Sequence, residues 1–227
     1  MSDRPEGHLG VAVVDDHPAI RKALRQAVND TMDMQVVAES GSREEALSVI
    51  NEASPDVVIV DLSLQDGHGF DLLAQLKTHA PDTKLLVFSM YDEKVYAERA
   101  LKAGASGYLM KAVPITKVLT AIRCVAEGSI YLSSEMTSRV LQKMVSDREA
   151  EARFPIHELT DRELQVFQML GQGKTVEEIA DGLDLARKTV ETYRRRAKEK
   201  LGYETAAEVV SHAARWVLGQ PGGSEDA

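Results

Sequence analysis

The sequence predicts a doubly wound α/β domain built on a five-stranded parallel sheet, followed by a small all-α domain. Three observations carry this expectation. Between Leu9 and Ala126, short apolar β-rich runs alternate with segments of helical periodicity. Beyond Glu158 no strand signal survives, and the basic residues there gather on one short segment.

The strands expected in order are "LGVAVV" from Leu9, "MQVVAE" from Met34, "DVVIV" from Asp56, "KLLVFS" from Lys84 and "GYLM" from Gly107. Their near-continuous apolar character is that of strands buried on both faces. Between them Ile20, Ala23, Leu24, Ala27 and Val28 fall at helical spacing, as do Ala46, Val49 and Ile50, and then Leu72, Leu73 and Leu76. A last helix is expected through "VLTAIRCVAEG", where Cys124 reads as a small core residue. As the lone cysteine it has no internal disulfide partner, which suits a reducing compartment.

From Glu135 to Arg153 the chain turns polar and charged, so residues 132–156 are read as a part-helical linker between a first domain over 1–131 and a second over 157–220. Three S/T-x-x-E boxes follow, Thr160 with Glu163, Thr175 with Glu178 and Thr205 with Glu208. Each can start a helix by reciprocal satisfaction of orphan N–H groups. Residues 221–227 read as a disordered tail.

At 44% hydrophobic over 227 residues the chain supports two packed cores. No stretch has the length of a membrane span, and "MSDRPEGHLG" lacks the basic and apolar regions of a secretory signal, so a cytoplasmic protein without membrane partners is expected. The total charge of −9 conceals a local contrast. Between Arg187 and Lys200, seven basic residues face only Glu191 and Glu199, a local +5 that leaves −14 on the rest.

The run "GVAVVDDHP" ends a buried strand on two adjacent acids, which need water, a basic side chain or a cation to coexist. In a parallel sheet all strands deliver their last residues to one edge, where ligands bind. That edge collects Asp15 and Asp16, Asp61, Ser89 and Lys111. Three carboxylates held together fit a hard ion such as Mg²⁺ completed by waters. Such an ion leaves Asp61 able to attack a phosphoryl donor, with Lys111 stabilising charge on the transferred oxygens and Ser89 bonding the new phosphate. His17 reads as part of the helix start, since neutral imidazole is a poor partner for Mg²⁺.

On "VVDDHP", "VIVDLSLQDGHG", "VFSM" and "GASGYLMK", the first 130 or so residues resemble the receiver domains of two-component response regulators, which are flavodoxin-like. The resemblance implies Asp61 as phosphoacceptor, Asp15, Asp16 and Asp61 as Mg²⁺ ligands, Ser89 as switch hydroxyl, Lys111 as the phosphate-pairing lysine and Tyr108 as the aromatic that turns inward. Gln65 and Met90 depart from common family choices. The first implies a less rigid loop after Asp61, and the second a narrower approach to it.

In the second half, a short helix from Val176 to Leu183, a tight turn and a basic helix from about Arg187 to Leu201 suggest a helix-turn-helix. On "LTDRE", "EEIADGL", "KTVETY" and "KEKLG" this region resembles the LuxR-type DNA-binding domain of the NarL/FixJ branch. The resemblance implies Glu191, Thr192 and Arg195 as groove readers and Lys188, Thr189, Arg194 and Lys200 as backbone contacts. Ala186 stands where a capping serine is usual, an expected cost of about 1 kcal/mol; Val176 and Tyr193 also depart from the usual residues.

The expected function is therefore a transcriptional regulator that takes a phosphoryl group from a sensor histidine kinase and binds promoter DNA, as a homodimer when active. Two rivals remain: a DNA binder whose receiver is only a dimerisation or ligand-sensing module, and a metal-dependent phosphohydrolase. Against the second, Ser63 stands where such aspartate phosphatases place a second acid. The protein is expected not to be an enzyme.

Overall fold

The computed structural model describes residues 7–64, 67–145 and 156–218. The chain divides into two compact units, Met1–Val145 and Ser146–Ala227.

In the first unit, β1 (Leu9–Val14), α1 (Pro18–Asn29), β2 (Met34–Ser40), α2 (Arg43–Ala53) and β3 (Val57–Val60) are followed by a two-residue hairpin, β4 (Ser63–Leu64) with β5 (Gly67–His68). Then come α3 (Gly69–His79), β6 (Lys84–Ser89), α4 (Glu93–Lys102), β7 (Gly107–Met110), α5 (Ile115–Ala126) and α6 (Ser134–Val145). Five strands form one parallel sheet in the order β2-β1-β3-β6-β7. All four residues of β3 are buried, as the uninterrupted Val-Val-Ile-Val run requires of a central strand covered on both faces. The strand order reverses at β1 and β3, which opens a crevice beyond their carboxyl ends.

The five strands lie where their apolar runs placed them, while the β4–β5 hairpin is a structural addition without a sequence signal. Ser42 caps α2 by accepting from the Glu45 N–H, and Asp92 caps α4 by accepting from that of Lys94. On α5 the buried stripe is Val118, Ala121, Ile122 and Val125. Cys124 falls beside that stripe and is half-buried, so it is not the core residue its apolar neighbours suggested. Gln65 lies outside the described residues, as does the tail 221–227.

The stretch read as a linker begins as part of this unit. The Ser133 N–H donates to Glu93 Oε1 at 2.8 Å, Lys94 pairs with Glu135 at 2.9 Å, and Met136 is fully buried. One apolar anchor and two polar ties thus hold the start of α6, an effect its mostly polar composition hides.

A two-pronged ion pair joins α5 to the loop before β2: Arg123 Nε and Nη2 donate to Asp33 Oδ2 and Oδ1 at 2.6 and 2.8 Å. The Arg123 guanidinium holds the Asp33 carboxyl at about 2, against its ordinary 3.8. A depressed folded pKa gives stability that is present above the unfolded value and lost as pH falls towards 2. Both side chains are nearly half exposed, so the contribution is at most about 1 kcal/mol. Asp33→Asn should therefore lower the urea midpoint slightly at pH 7, with the gap to the parent closing between pH 4 and pH 2.

The second unit contains a 3₁₀ turn at Ile156–Glu158, then α7 (Asp161–Gly171), α8 (Val176–Gly182), α9 (Arg187–Lys200) and α10 (Ala206–Leu218). Full reciprocal capping boxes start α7 and α8. The Thr205–Glu208 pair does the same at α10, with Thr205 N–H donating to Glu208 Oε2 and Glu208 N–H to Thr205 Oγ1. Phe167 of α7 packs against Trp216 of α10 with ring centroids 5.9 Å apart. Among the described residues, no helix is long and apolar enough to cross a membrane.

Candidate metal centre and nucleic-acid interface

Asp15 follows β1 and Asp61 follows β3, so both carboxylates enter the crevice; they are 2% and 1% exposed. Lys111, after β7, reaches back between them, with Nζ 2.7 Å from Asp15 Oδ2 and 2.8 Å from Asp61 Oδ2. Its backbone N–H donates to the Ser89 carbonyl at 2.8 Å, which ties the ends of β6 and β7 together. The Ser63 N–H donates to Asp61 Oδ1 at 3.1 Å. Asp61 is thus held through both oxygens in a buried position.

Burial pushes the Asp61 carboxyl up, and the Lys111 ammonium only partly offsets this; the net shift is upward from 3.8. For Lys111, burial pulls downward but the Asp61 and Asp15 carboxylates outweigh it, so the ammonium is held more firmly than usual. The expected ion is not the sole positive charge available to these acids. Lys111 itself bridges Asp15 and Asp61, a pairing across nearly the whole domain.

Asp16 takes a different partner. Its Oδ1 lies 2.6 Å from His17 Nδ1, and the same nitrogen is 3.2 Å from Asp15 Oδ1. Asp16 Oδ1 is nonetheless shielded from solvent and has no hydrogen-bond partner. Donor atoms of Asp15, Asp16, His17 and Asp61 lie within 4.8 Å of one another. A crowded set of oxygen donors with one unsatisfied buried oxygen fits a divalent cation. Sequence reasoning placed His17 only at the start of α1. It is the N-cap residue, but its ring also turns onto the acid pair.

Ser89 is fully buried and Tyr108 is 1% exposed. Both hold the backbone of Tyr91: its N–H donates to Ser89 Oγ at 3.3 Å, and its carbonyl accepts from the Tyr108 hydroxyl at 3.0 Å. Burial raises the Tyr108 hydroxyl well above 10, which keeps it a donor. Tyr91 is the member of this group that sequence reasoning missed, because its role runs through the main chain. Met90 is 66% exposed, so its bulk is turned largely to solvent.

Gly69 opens α3 directly against the chain at Asp61 and Leu62. A Cβ there would lie 2.4 Å from the Asp61 carbonyl oxygen and 2.5 Å from Leu62 Cα. Only a residue without a side chain permits this approach.

On α9, Val190 and Ala197 are fully buried and set the inner face. Lys188, Glu191 and Arg195 are exposed on the opposite side, with Thr192 partly so. The Thr192 hydroxyl donates to the Lys188 carbonyl at 2.8 Å. Arg195 pairs with Glu199 at 2.7 Å, and both side chains are more than half exposed. A pair of that kind is worth about 0.3–0.5 kcal/mol and is readily exchanged for another partner. Arg187 pairs with Glu177 of α8, and Lys198 Nζ donates to the Glu204 carbonyl at 3.0 Å. Thr189 and Arg194 are half-buried. Ala186 is the N-cap and provides no side-chain bond, as its residue type dictates.

Lys200 requires a different reading from the expected backbone contact. Its Nζ lies 2.7 Å from Glu163 Oε2, and that carboxylate is 2% exposed within the α7 capping box. Burial pushes the Glu163 carboxyl up, but Lys200 and Thr160 more than offset it, and it ends below 4.5. Lys200 thus fastens α9 to α7. Lys200→Ala should destabilise this unit by about 1–2 kcal/mol at pH 7, less than a fully buried pair because Lys200 is 36% exposed. A depressed acid loses its contribution as pH falls, so the deficit should shrink below pH 4.5. Fluorescence of Trp216, the sole tryptophan, reads this unit's unfolding, and Lys188→Ala should stay within about 0.5 kcal/mol of the parent.

Comparison with known proteins bears on both sites. Residues 11–123 match the response regulator receiver domain, and residues 157–213 match the luxR family of bacterial regulatory proteins. The oxygen regulatory protein NreC of Staphylococcus aureus is 32% identical over 211 residues, covering 91% of this chain and 97% of that one. Among solved structures, a two-component response regulator of the LuxR family from Aurantimonas sp. SI85-9A1 is 27% identical, with a TM-score of 0.56 over 61% of this chain and 99% of that one. RcsB from Salmonella enterica serovar Typhimurium, bound to promoter rprA in the presence of phosphomimetic BeF3⁻, shares the fold with a TM-score of 0.59 at 23% identity, over 91% of this chain and 98% of that one.

Proposed function

This chain belongs to the DNA-binding response regulators of two-component systems, a receiver joined to a LuxR-type domain, and on that premise we propose that Asp61 is its phosphoacceptor. Members of this family are transcription regulators rather than enzymes. The observation that carries the reading is the joint grip of Lys111 on Asp61 and Asp15 beside an unsatisfied Asp16 oxygen.

Asp15, Asp16 and Asp61 would hold Mg²⁺, which would supply positive charge to the oxygens of the transferred group. An Asp61 carboxylate oxygen attacks phosphorus; the new O–P bond forms as the bond to the donor, a histidine kinase or a small acyl phosphate, breaks. Lys111 shifts its hydrogen bond from the Asp61 oxygen to a phosphoryl oxygen. Ser89 Oγ, drawn to the phosphate as donor, gives up the Tyr91 N–H. The Tyr91 carbonyl keeps its bond from the Tyr108 hydroxyl while its N–H is released, so the β6–α4 segment has two arrangements between which phosphate chooses.

The DNA reading assigns Arg195, Glu191 and Thr192 to base edges and Lys188, Thr189 and Arg194 to the backbone. Lys200 already spends part of its charge on Glu163, so it would bring less of it to a phosphate. Arg195→Ala should cost about 1–3 kcal/mol of sequence discrimination, whereas Lys188→Ala should weaken binding to all duplexes alike and lower the salt slope. The active form is a homodimer on promoter DNA, and the protein works in the cytoplasm.

The deciding experiment treats the full chain with acetyl phosphate, with Mg²⁺ or with EDTA, and measures phosphate incorporation, size and affinity for genomic DNA fragments. Mg²⁺-dependent labelling with tighter binding and a dimeric species is the expected result. Labelling that leaves affinity unchanged would reduce the receiver to a passenger on a phosphorylation-independent DNA binder, and steady turnover of phosphate esters would point to a hydrolase.

A further inference from the structure

We propose that His17 supplies a nitrogen donor, through Nδ1, to the cation held by Asp15, Asp16 and Asp61, so that this receiver favours Mn²⁺ or a similar first-row ion over Mg²⁺. The inference rests on the metal reading above and adds a fourth residue to it.

Distances carry the first step. Two adjacent ligands of an octahedral ion at about 2.1 Å lie roughly 3 Å apart, and two opposite ligands about 4.2 Å apart. His17 Nδ1 stands 2.6 Å from Asp16 Oδ1 and 3.2 Å from Asp15 Oδ1, and the set that includes Asp61 spans at most 4.8 Å. His17 Nδ1 therefore stands at about the spacing of an adjacent ligand from both acid oxygens. Hydrogen bonding accounts for part of the cluster, since His17 Nδ1 meets Asp15 Oδ1 at hydrogen-bond distance, 3.2 Å, but it leaves Asp16 Oδ1 out. The Asp16 side chain is 8% exposed, yet its Oδ1 makes no aligned bond to the imidazole beside it. A cation bound by both atoms would satisfy Asp16 Oδ1 and replace the His17–Asp15 hydrogen bond.

The backbone holds the ring there. Pro18 confines the preceding residue to extended geometry, and His17 has φ −87° and ψ 107°. The His17 N–H donates to Asp15 Oδ1 at 2.9 Å, and its carbonyl accepts from the N–H groups of Ile20 and Arg21, each at 3.1 Å. Its side chain makes no capping bond to α1; Nδ1 faces the acids instead, in a hydrogen bond to Asp15 Oδ1. The ring is 58% exposed, which leaves an approach from solvent.

Donor chemistry then sets the preference. Carboxylates and water suit Mg²⁺ and Mn²⁺ alike, whereas a nitrogen donor adds little for Mg²⁺ and more along the first-row series. The test uses the full chain and its His17→Ala variant, titrated calorimetrically with Mn²⁺ and separately with Mg²⁺, with circular dichroism confirming that both are folded. Pulsed electron paramagnetic resonance on the Mn²⁺-loaded parent should show ¹⁴N modulation that vanishes in the variant. Mn²⁺ affinity should fall about tenfold or more, the loss common even for groups that only support a ligand, while Mg²⁺ affinity falls by a smaller factor. Equal factors for the two ions, or a parent complex without ¹⁴N modulation, would overturn the role of His17 and leave the carboxylate site intact. Failure of the parent to bind either ion would overturn the carboxylate site as well.

Discussion

Replacing Asp61 by asparagine is expected to reduce phosphate incorporation from acetyl phosphate to that of a protein-free blank, without unfolding the receiver. The amide oxygen is not a nucleophile, and among the described residues no other carboxylate is gripped by Lys111 and the Ser63 N–H together. Stability separates this outcome from trivial damage. Because burial raises the Asp61 pKa, the folded state holds its proton more tightly than the unfolded state. Ionisation therefore weighs against folding, increasingly so as pH rises above 3.8 and until the folded pKa is passed. Asparagine lacks this penalty, and Lys111 keeps Asp15 as a partner. The variant should match or exceed the parent in urea, with its advantage growing from pH 4 upward. Undiminished labelling would remove Asp61 from the proposed role.

Lys111→Met is expected to produce the largest loss of stability of any single change at the site. Methionine fills comparable volume but leaves the Asp15 and Asp61 side chains, 3% and 0% exposed, without their shared cation. Removing one partner of a buried ion pair costs about 3–5 kcal/mol. Two conditions should restore part of it: Mg²⁺, which replaces the missing positive charge, and low pH, which allows one carboxyl to protonate. In the parent the dependence lies at the opposite end of the scale. The Lys111 pKa is raised, so its contribution is complete below 10.5 and is lost only as pH rises through the folded value. Urea midpoints at pH 5 and pH 8, with and without Mg²⁺, test both halves. A variant as stable as the parent at pH 8 without Mg²⁺ would show that Lys111 is not what makes the acid cluster tolerable.

The parallel sheet was legible because β1, β3, β6 and β7 are nearly uninterrupted apolar runs, and the helical unit because all three capping boxes form as their spacing implies. The chemistry at the sheet edge followed from a topological rule, which places strand ends together but does not choose partners among them. That choice depends on side-chain reach. Nothing in the order of residues says that Lys111 bridges two acids, that His17 turns onto Asp16, or that Lys200 bends inward to Glu163. The β4–β5 hairpin is too short for periodicity to register, and at the start of α6 the buried anchor is Met136 with polar neighbours on either side.

The close approach at Gly69 gives a position with no functional group a hold over reaction rate. Any added carbon must push the strand end away or tilt the helix start, and a misplacement of about 1 Å at a reacting centre can cost a hundredfold in rate. In a survey of all substitutions, position 69 should therefore prove as intolerant as Asp61, the proposed phosphoacceptor it supports, and for a reason of space rather than reactivity.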